Sequence, residues 1–209
     1  RMEAGRELVI FDGKGGEYQA IIHEVGKKVT RVKLLVHHDI ERESPLYTHL
    51  AIGSSRGDKM DWVLQKATEL GINEITPLFC ERTEVRLSGS RLDKKQQQWQ
   101  KILESCCEQC QRNTVPILNT PINFEKFINK PPSGLNFVLH HRSEKPLGDY
   151  KPPTASGLLI GPEGGLSVKE IELAQNAHFE PLRIGPRVMR TETAPLAALS
   201  LLQQLWGDF

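Results

Sequence analysis

Apolar and polar residues change rhythm along the chain, and the change divides it. Over residues 6–38 the runs ELVIFDG, EYQAIIHEVG and KKVTRVKLLVHH are rich in β-branched and aromatic residues. Asp12-Gly13 and Gly15-Gly16 punctuate them, so this part predicts strands joined by tight turns. The stretch DIERESP (39–45) is charged, poor in apolar residues and ends in Pro, which predicts a linker. From Leu46 onward strand-like and helix-like segments alternate, the pattern of an α/β unit built on a mostly parallel sheet.

Within that part, Asp58 is placed to cap a helix whose Met60, Val63, Leu64, Ala67 and Leu70 share one face, and Gly71 stops it. The strand EITPLFC follows. A longer helix, about Leu92–Cys110, is polar at most positions and carries a thin stripe of Leu92, Trp99, Ile102, Leu103 and Cys106. LNFVLHH and GLLIG read as buried strands, and the second runs straight into the glycine loop GPEGGLS. There Ser167 and Glu170 have capping-box spacing, with Leu166 and Ile171 in staple positions, so a helix starts where the loop ends. The final helix, about Pro195–Trp206, has Pro in its first turn and is apolar almost all round, which calls for burial on more than one side.

Composition narrows the class. The 209 residues suit one large domain, or one domain with a smaller companion, and the 38% apolar content is ordinary for a globular chain. Lys and Arg number 27 against 26 Asp and Glu, so no overall charge announces a nucleic-acid partner, although a local basic patch is compatible with the balance. No apolar run approaches the roughly 18 residues of a membrane span and no signal-peptide pattern opens the chain, so we expect a cytoplasmic protein without a membrane partner. The chain starts at Arg1 rather than Met, and an upstream segment is therefore expected. Of Cys80, Cys106, Cys107 and Cys110, three crowd one helix, a poor disulfide layout. The CxxC of Cys107 and Cys110 lacks a second ligand pair at zinc spacing, so free thiols and no metal are expected.

The candidate chemistry lies in two loops. LLIGPEGGLSVKE (158–170) and RIGPRVMRTETAP (183–195) each follow a short apolar run and each contain Ile-Gly-Pro. Neither is a phosphate loop: GPEGGLS has no Lys for a P-loop and puts Glu163 where a phosphate would be repelled, and G-x-G-x-x-G is absent. What they offer is close backbone approach at Gly and a fixed direction at Pro, which suits an adenine or ribose edge read by main-chain groups. Ordinary turn chemistry explains either loop alone. The pair, with Arg187 and Arg190 beside Glu192, Thr191 and Thr193, favours a site.

LLIGPEGGLS, IGPRVMRTETAPLAAL, GDKMDWVLQKATELGINEITPL and KKQQQWQKILESCCEQCQRN together resemble the RsmE-type family, bacterial 16S ribosomal RNA uridine-N3 methyltransferases of the SPOUT superfamily. The likeness runs from Leu46 to Phe209. RMEAGRELVIFDG resembles the middle of that family's N-terminal PUA-like β-barrel, which implies that the barrel's first strands lie outside this chain. The resemblance thus implies an incomplete PUA-like, RNA-binding unit over 1–40 and a trefoil-knotted SPOUT methyltransferase domain over 46–209. It implies S-adenosylmethionine as methyl donor, S-adenosylhomocysteine as product, and a homodimer with active sites at the subunit interface. The cofactor site carried over comprises Gly161, Pro162, Glu163, Gly164 and Gly165 in the first loop. The second loop contributes Ile184, Gly185, Arg187, Val188, Met189 and Arg190, with Thr193 close by. Leu139 and His140, at the end of a strand, form a third wall.

On this reading a sulfonium donor needs no metal, and the protein has to align an in-line displacement and favour loss of the uridine N3 proton. Arg190 is the candidate for stabilising charge on the uracil oxygens, and Glu163 for accepting a proton or fixing the loop. Arg82, Arg86, Arg91, Lys94 and Lys95 form a candidate RNA-facing patch interrupted by Glu84 and Asp93. His37, His38 and His141 are expected to be structural. The partner is 16S ribosomal RNA or the assembled small subunit. Two alternatives stay open: another RNA position, such as a transfer RNA ribose 2′-hydroxyl, and a non-catalytic RNA-binding module for ribosome assembly.

Overall fold

The computed structural model describes residues 2–55, 57–84, 86–139 and 146–209. They fall into two compact units. The first holds the residues up to Glu43 together with Cys107–Val115. Its strands β1 (Glu7–Ile10), β2 (Glu17–Val25) and β3 (Thr30–His38) make an antiparallel sheet in that order, with Ala20 and Ile22 buried at its centre. The glycine turn after β1 is held by the returning segment: Gly15 N–H donates to Asn113 O and Val115 N–H to Gly13 O, both at 3.1 Å. Arg112 forms a largely buried ion pair with Glu43, and Asn113 Nδ2 donates to Ile40 O at 2.6 Å. These polar groups anchor the expected linker, a pairing between distant stretches that no local periodicity announces.

The second unit, Ser44–Cys106 with Pro116–Phe209, is the α/β part. In chain order it contains β4 (Tyr47–Gly53), α1 (Lys59–Glu69), β5 (Glu74–Phe79), α2 (Gly89–Cys110, whose last turn belongs to the first unit), β6 (Ile117–Leu118), β7 (Ile122–Asn123) and α3 (Phe124–Ile128). Then come β8 (Leu135–Leu139), β9 (Ala155–Ile160), α4 (Val168–Asn176), β10 (Phe179–Leu182) and α5 (Ala194–Trp206). The sheet runs β10-β8-β9-β4-β5-β6, with β7 also on β5, and every pairing is parallel.

Parallel strands covered on both faces read as near-continuous apolar runs, and the stretches LAIG of β4, PLF of β5, FVL of β8 and GLLI of β9 do. Successive side chains then sort to opposite layers. Ala51, Leu78, Val138 and Leu159 face α3 and α4 and pack with Phe124, Phe127, Ala174 and Phe179. On the other face α5 packs against β9 and α1, and Phe137 stacks on Trp206 with ring centroids 6.3 Å apart. The fold class expected from the alternation is therefore the one observed, a mostly parallel α/β unit, with a separate antiparallel sheet in the other unit.

Local expectations differ in three places. Asp58 occupies the N-cap of α1, but its side chain makes no capping bond. It has helical φ and ψ of −83° and −3°, whereas a capping side chain needs an extended residue to reach back. Helix α2 starts at Gly89 rather than near Leu92. Its thin apolar stripe is supplemented by a polar anchor, since Asp61 of α1 accepts from Lys95 Nζ (2.9 Å), Gln98 Nε2 (2.9 Å) and Trp99 Nε1 (3.0 Å). Helix α5 begins at Ala194, with Leu201 and Leu205 exposed and Ala198, Leu199 and Leu202 buried.

Candidate functional site

All the strands of the parallel sheet end on one edge, and the direction of the connections reverses between β4 and β9. From β4 the chain goes by α1 to β5 on one side; from β9 it goes by α4 to β10 on the other. Open α/β sheets bind ligands in the crevice at such a reversal. Here a Cβ on Gly53, the last residue of β4, would collide with the backbone nitrogen of Pro162, the second residue after β9. Both glycine loops leave this edge, one from β9 and one from β10, with β8 and its terminal Leu139 between them. The second loop crosses to α5, whose far end is fixed at the opposite edge: Gln203 Nε2 donates to Leu70 O (2.9 Å) and Ser44 Oγ to Gln203 Oε1 (2.7 Å). The N-terminus of α5 consequently lies at the loop edge.

The first loop is a compact turn. Gly165 N–H donates to Pro162 O at 2.8 Å, with Gly165 at φ +69°. A Cβ on Gly161 would stand 2.7 Å from Leu166 N, so only glycine lets the loop close on itself here. The capping box at its exit is formed in full: Ser167 Oγ accepts from Glu170 N–H (3.3 Å), and Glu170 Oε2 from Ser167 N–H (2.8 Å). Glu170 Oε1 also accepts from Glu81 N–H at 2.8 Å, which ties α4 to the end of β5.

Pro162 is buried, whereas Glu163 and Gly164 are exposed. The Glu163 carboxylate pairs with Lys59 Nζ at 3.3 Å. In the second loop Gly185 has φ +69° and none of the described residues near its missing Cβ, Ile184 and Met189 are half-buried, Arg187 and Arg190 are exposed, and Val188 is 90% exposed. Arg190 O accepts from the N–H groups of Thr193 and Ala194, both at 3.0 Å, closing the turn into α5. Thr193 is the N-cap residue, but its side chain makes no capping bond. His140 and His141 lie outside the described residues.

The basic patch divides. Arg82 Nη1 donates to Gly164 O (2.9 Å) and Leu166 O (3.5 Å), so this side chain is bound to the first glycine loop. Arg86 donates to Cys80 O (3.3 Å) and lines a cleft of ≈ 330 Å³ with Glu81, Asn123, Glu125, Lys169 and Glu170. Lys95 is engaged with Asp61 and lies over the Trp99 ring. Arg91 and Lys94 are exposed on the first turns of α2. Cys80 is buried at the end of β5, and burial, reinforced by Glu170, pushes its thiol up to about 12, which leaves it a packing residue. Among the described residues no group of three His, Cys, Asp or Glu is placed to hold a metal ion.

Four contributors escaped the sequence reading: Gly53, Ser54, Lys59, and Arg82 in its role at the loop. The GSS that follows the apolar run HLAI was a legible signal for the first two. Ser54 Oγ and Glu192 Oε2 are buried without a hydrogen-bond partner among the described residues. Buried polar atoms in folded proteins are rarely left so, and a ligand is one way to satisfy them.

Residues 42–203 match the model of the RNA methyltransferase domain family. The ribosomal RNA small subunit methyltransferase E of Buchnera aphidicola is 33% identical over 100% of this chain and 83% of its own length. The Bacillus subtilis protein of the same name is 31% identical over 97% of this chain and 83% of its own. Among solved structures, a methyltransferase from Legionella pneumophila in complex with the cofactor SAM superposes with a TM-score of 0.96 at 43% identity, over 100% of this chain and 87% of that one. The ribosomal RNA small subunit methyltransferase E from Neisseria gonorrhoeae, bound to S-adenosyl methionine, gives 0.92 at 38% identity over the same shares. With the family model spanning most of the chain and the likeness running its full length, this chain belongs to the RNA methyltransferase family represented by the ribosomal RNA small subunit methyltransferases E.

Proposed function

We propose that this chain is an S-adenosylmethionine-dependent methyltransferase acting on N3 of a uridine in 16S ribosomal RNA of the small ribosomal subunit. The observation that carries the reading is that both glycine loops leave the carboxyl edge of one parallel sheet, from β9 and β10 on either side of β8, with the first of them packed against β4 where the sheet reverses its connections. The relatives solved with this cofactor support the donor, and the name of the curated relatives supports the substrate class. The residues present fit the cofactor: among the described residues nothing fills the space beside Gly165 and Gly185 or partners one buried carboxylate oxygen of Glu192, and these with the Glu163 carboxylate suit an adenosyl group that carries a positive sulfur.

Leu139, Gly161, Pro162, Glu163, Gly164 and Gly165 would hold the cofactor on one side. Ile184, Gly185, Arg187, Val188, Met189, Arg190 and Thr193 would hold it on the other. When bound, S-adenosylmethionine supplies an electrophilic methyl group on a cationic sulfur. Arg190, exposed where the second loop turns into α5, would stabilise negative charge on the uracil oxygens as N3 loses its proton. Glu163, already paired with Lys59, acts as a counter-charge and loop anchor in preference to a lone base.

Further parts of the reading are a knotted path through the loops and a PUA-like RNA-binding N-terminal unit. The exposed Arg91 and Lys94 would meet the RNA backbone. A cytoplasmic homodimer completes it, for which exposed Leu201 and Leu205 supply an apolar face.

The test is reverse transcription of small-subunit RNA from cells with and without the gene, alongside transfer of labelled methyl in vitro. Methylation at N3 removes the Watson–Crick donor and stops the polymerase, so one stop must vanish in the deletion strain. If every stop persists and label enters a ribose 2′-hydroxyl, the alternative target replaces this one. If the purified full-length protein binds no S-adenosylmethionine in calorimetry, both enzyme readings fail.

A further inference from the structure

We infer that Arg82 is a positioning residue that holds the first glycine loop in its cofactor-receiving shape. The identity of that cofactor rests on the function proposed above; the positioning itself rests on the geometry. A loop with glycine at 161, 164 and 165 has little conformational preference of its own, because glycine loses more backbone freedom on ordering than any other residue. Its shape has to come from outside, and the source is the turn that follows β5.

Arg82 Nη1 donates to Gly164 O at 2.9 Å and lies 3.5 Å from Leu166 O. The Arg82 stem lies on the same glycine, since a Cβ on Gly164 would stand 3.0 Å from Arg82 Cβ. The peptide joining Gly164 to Gly165 is thereby fixed from both ends: its carbonyl accepts from Arg82, and its N–H donates to Pro162 O at 2.8 Å. One residue earlier, Glu81 N–H donates to Glu170 Oε1, so consecutive residues of one turn grip the loop and the helix that follows it. Charged donors to carbonyls are stronger than neutral ones, and a planar guanidinium serves two acceptors where an ammonium is a point charge. Holding a glycine-rich loop in its bound shape beforehand removes an ordering cost from binding.

The experiment compares wild-type, Arg82→Ala and Arg82→Lys chains, full length, by hydrogen–deuterium exchange without ligand and by calorimetry with S-adenosylmethionine. Arg82→Ala should raise exchange in residues 161–167 while leaving β2 and β3 unchanged, and should weaken S-adenosylmethionine binding by about tenfold or more. Arg82→Lys should recover part of both. Unchanged exchange in 161–167 overturns the inference. So does faster exchange with cofactor affinity kept within about twofold, and so does a loss confined to RNA affinity, which would make Arg82 a phosphate ligand instead. If the wild-type chain binds no S-adenosylmethionine while Arg82→Ala still loosens the loop, the proposed function fails and the latch stands. Should the alanine variant not fold, Arg82→Lys and Arg82→Gln carry the comparison.

Discussion

Gly53 at the end of β4 lies against the backbone nitrogen of Pro162 so closely that neither residue leaves room for a side chain on the glycine. The contact joins the two strands between which the sheet reverses its connections, and it sets how near the first glycine loop sits to the central strand. Gly53→Ala therefore has to move backbone. Overpacking of this kind costs about 1–3 kcal/mol. We expect a melting midpoint lower by several degrees and a raised KM for S-adenosylmethionine, read by calorimetry and steady-state kinetics; unchanged values for both would show that the loop yields freely.

Glu170 is buried and serves two backbone donors, Ser167 N–H and Glu81 N–H. Glu170→Ala removes a helix cap, worth about 0.5–2 kcal/mol, and strands the Glu81 N–H, worth about 1–3 kcal/mol. Together they predict a loss of roughly 1.5–5 kcal/mol in denaturant unfolding. Glu170→Gln, which keeps one acceptor oxygen, should lose less.

His49 shares a 2.8 Å hydrogen bond with Thr76 Oγ1 and lies 3.7 Å from Glu74, which itself accepts from Tyr47 (2.8 Å) and Asn119 (2.6 Å). Burial pushes the imidazole below its ordinary 6.5, Glu74 pulls the other way, and burial prevails. Above about pH 6.5 the ring is neutral in both folded and unfolded chains. Below it the unfolded chain binds the proton first, so stability falls with pH until the lowered folded value is reached. The melting midpoint should drop between pH 6.5 and 5 in the wild type and drop less in His49→Gln.

Arg190 leaves its side chain exposed while its carbonyl closes the turn into α5. Arg190→Ala should therefore keep the fold. If its guanidinium meets developing charge on the uracil, kcat falls about 10²–10³-fold, the usual consequence of losing one such donor. Methylation at the wild-type rate would remove Arg190 from the mechanism.

The sequence by itself determined the longer strands, though not the two-residue β6 and β7, together with the capping box and the two glycine loops, because each is a local device. An apolar run of strand length, Ser167 three residues before Glu170, and Gly beside Pro all act within a few residues of themselves. It also carried the family likeness, which is written in those loops and in the stretches around α1 and α2. The tertiary structure alone decided which distant groups meet. Gly53 against Pro162, Lys59 against Glu163, Arg82 on Gly164 and Asp61 on the Trp99 N–H each join residues more than thirty positions apart. Spacing along a chain carries no signal for such pairs, since strand order and helix direction place them. The same limit explains why Arg82 and Lys95 read as free cations in the sequence. Their charge is a local property, and their partners, Gly164 and Asp61, are supplied only when the sheet brings its carboxyl edge together.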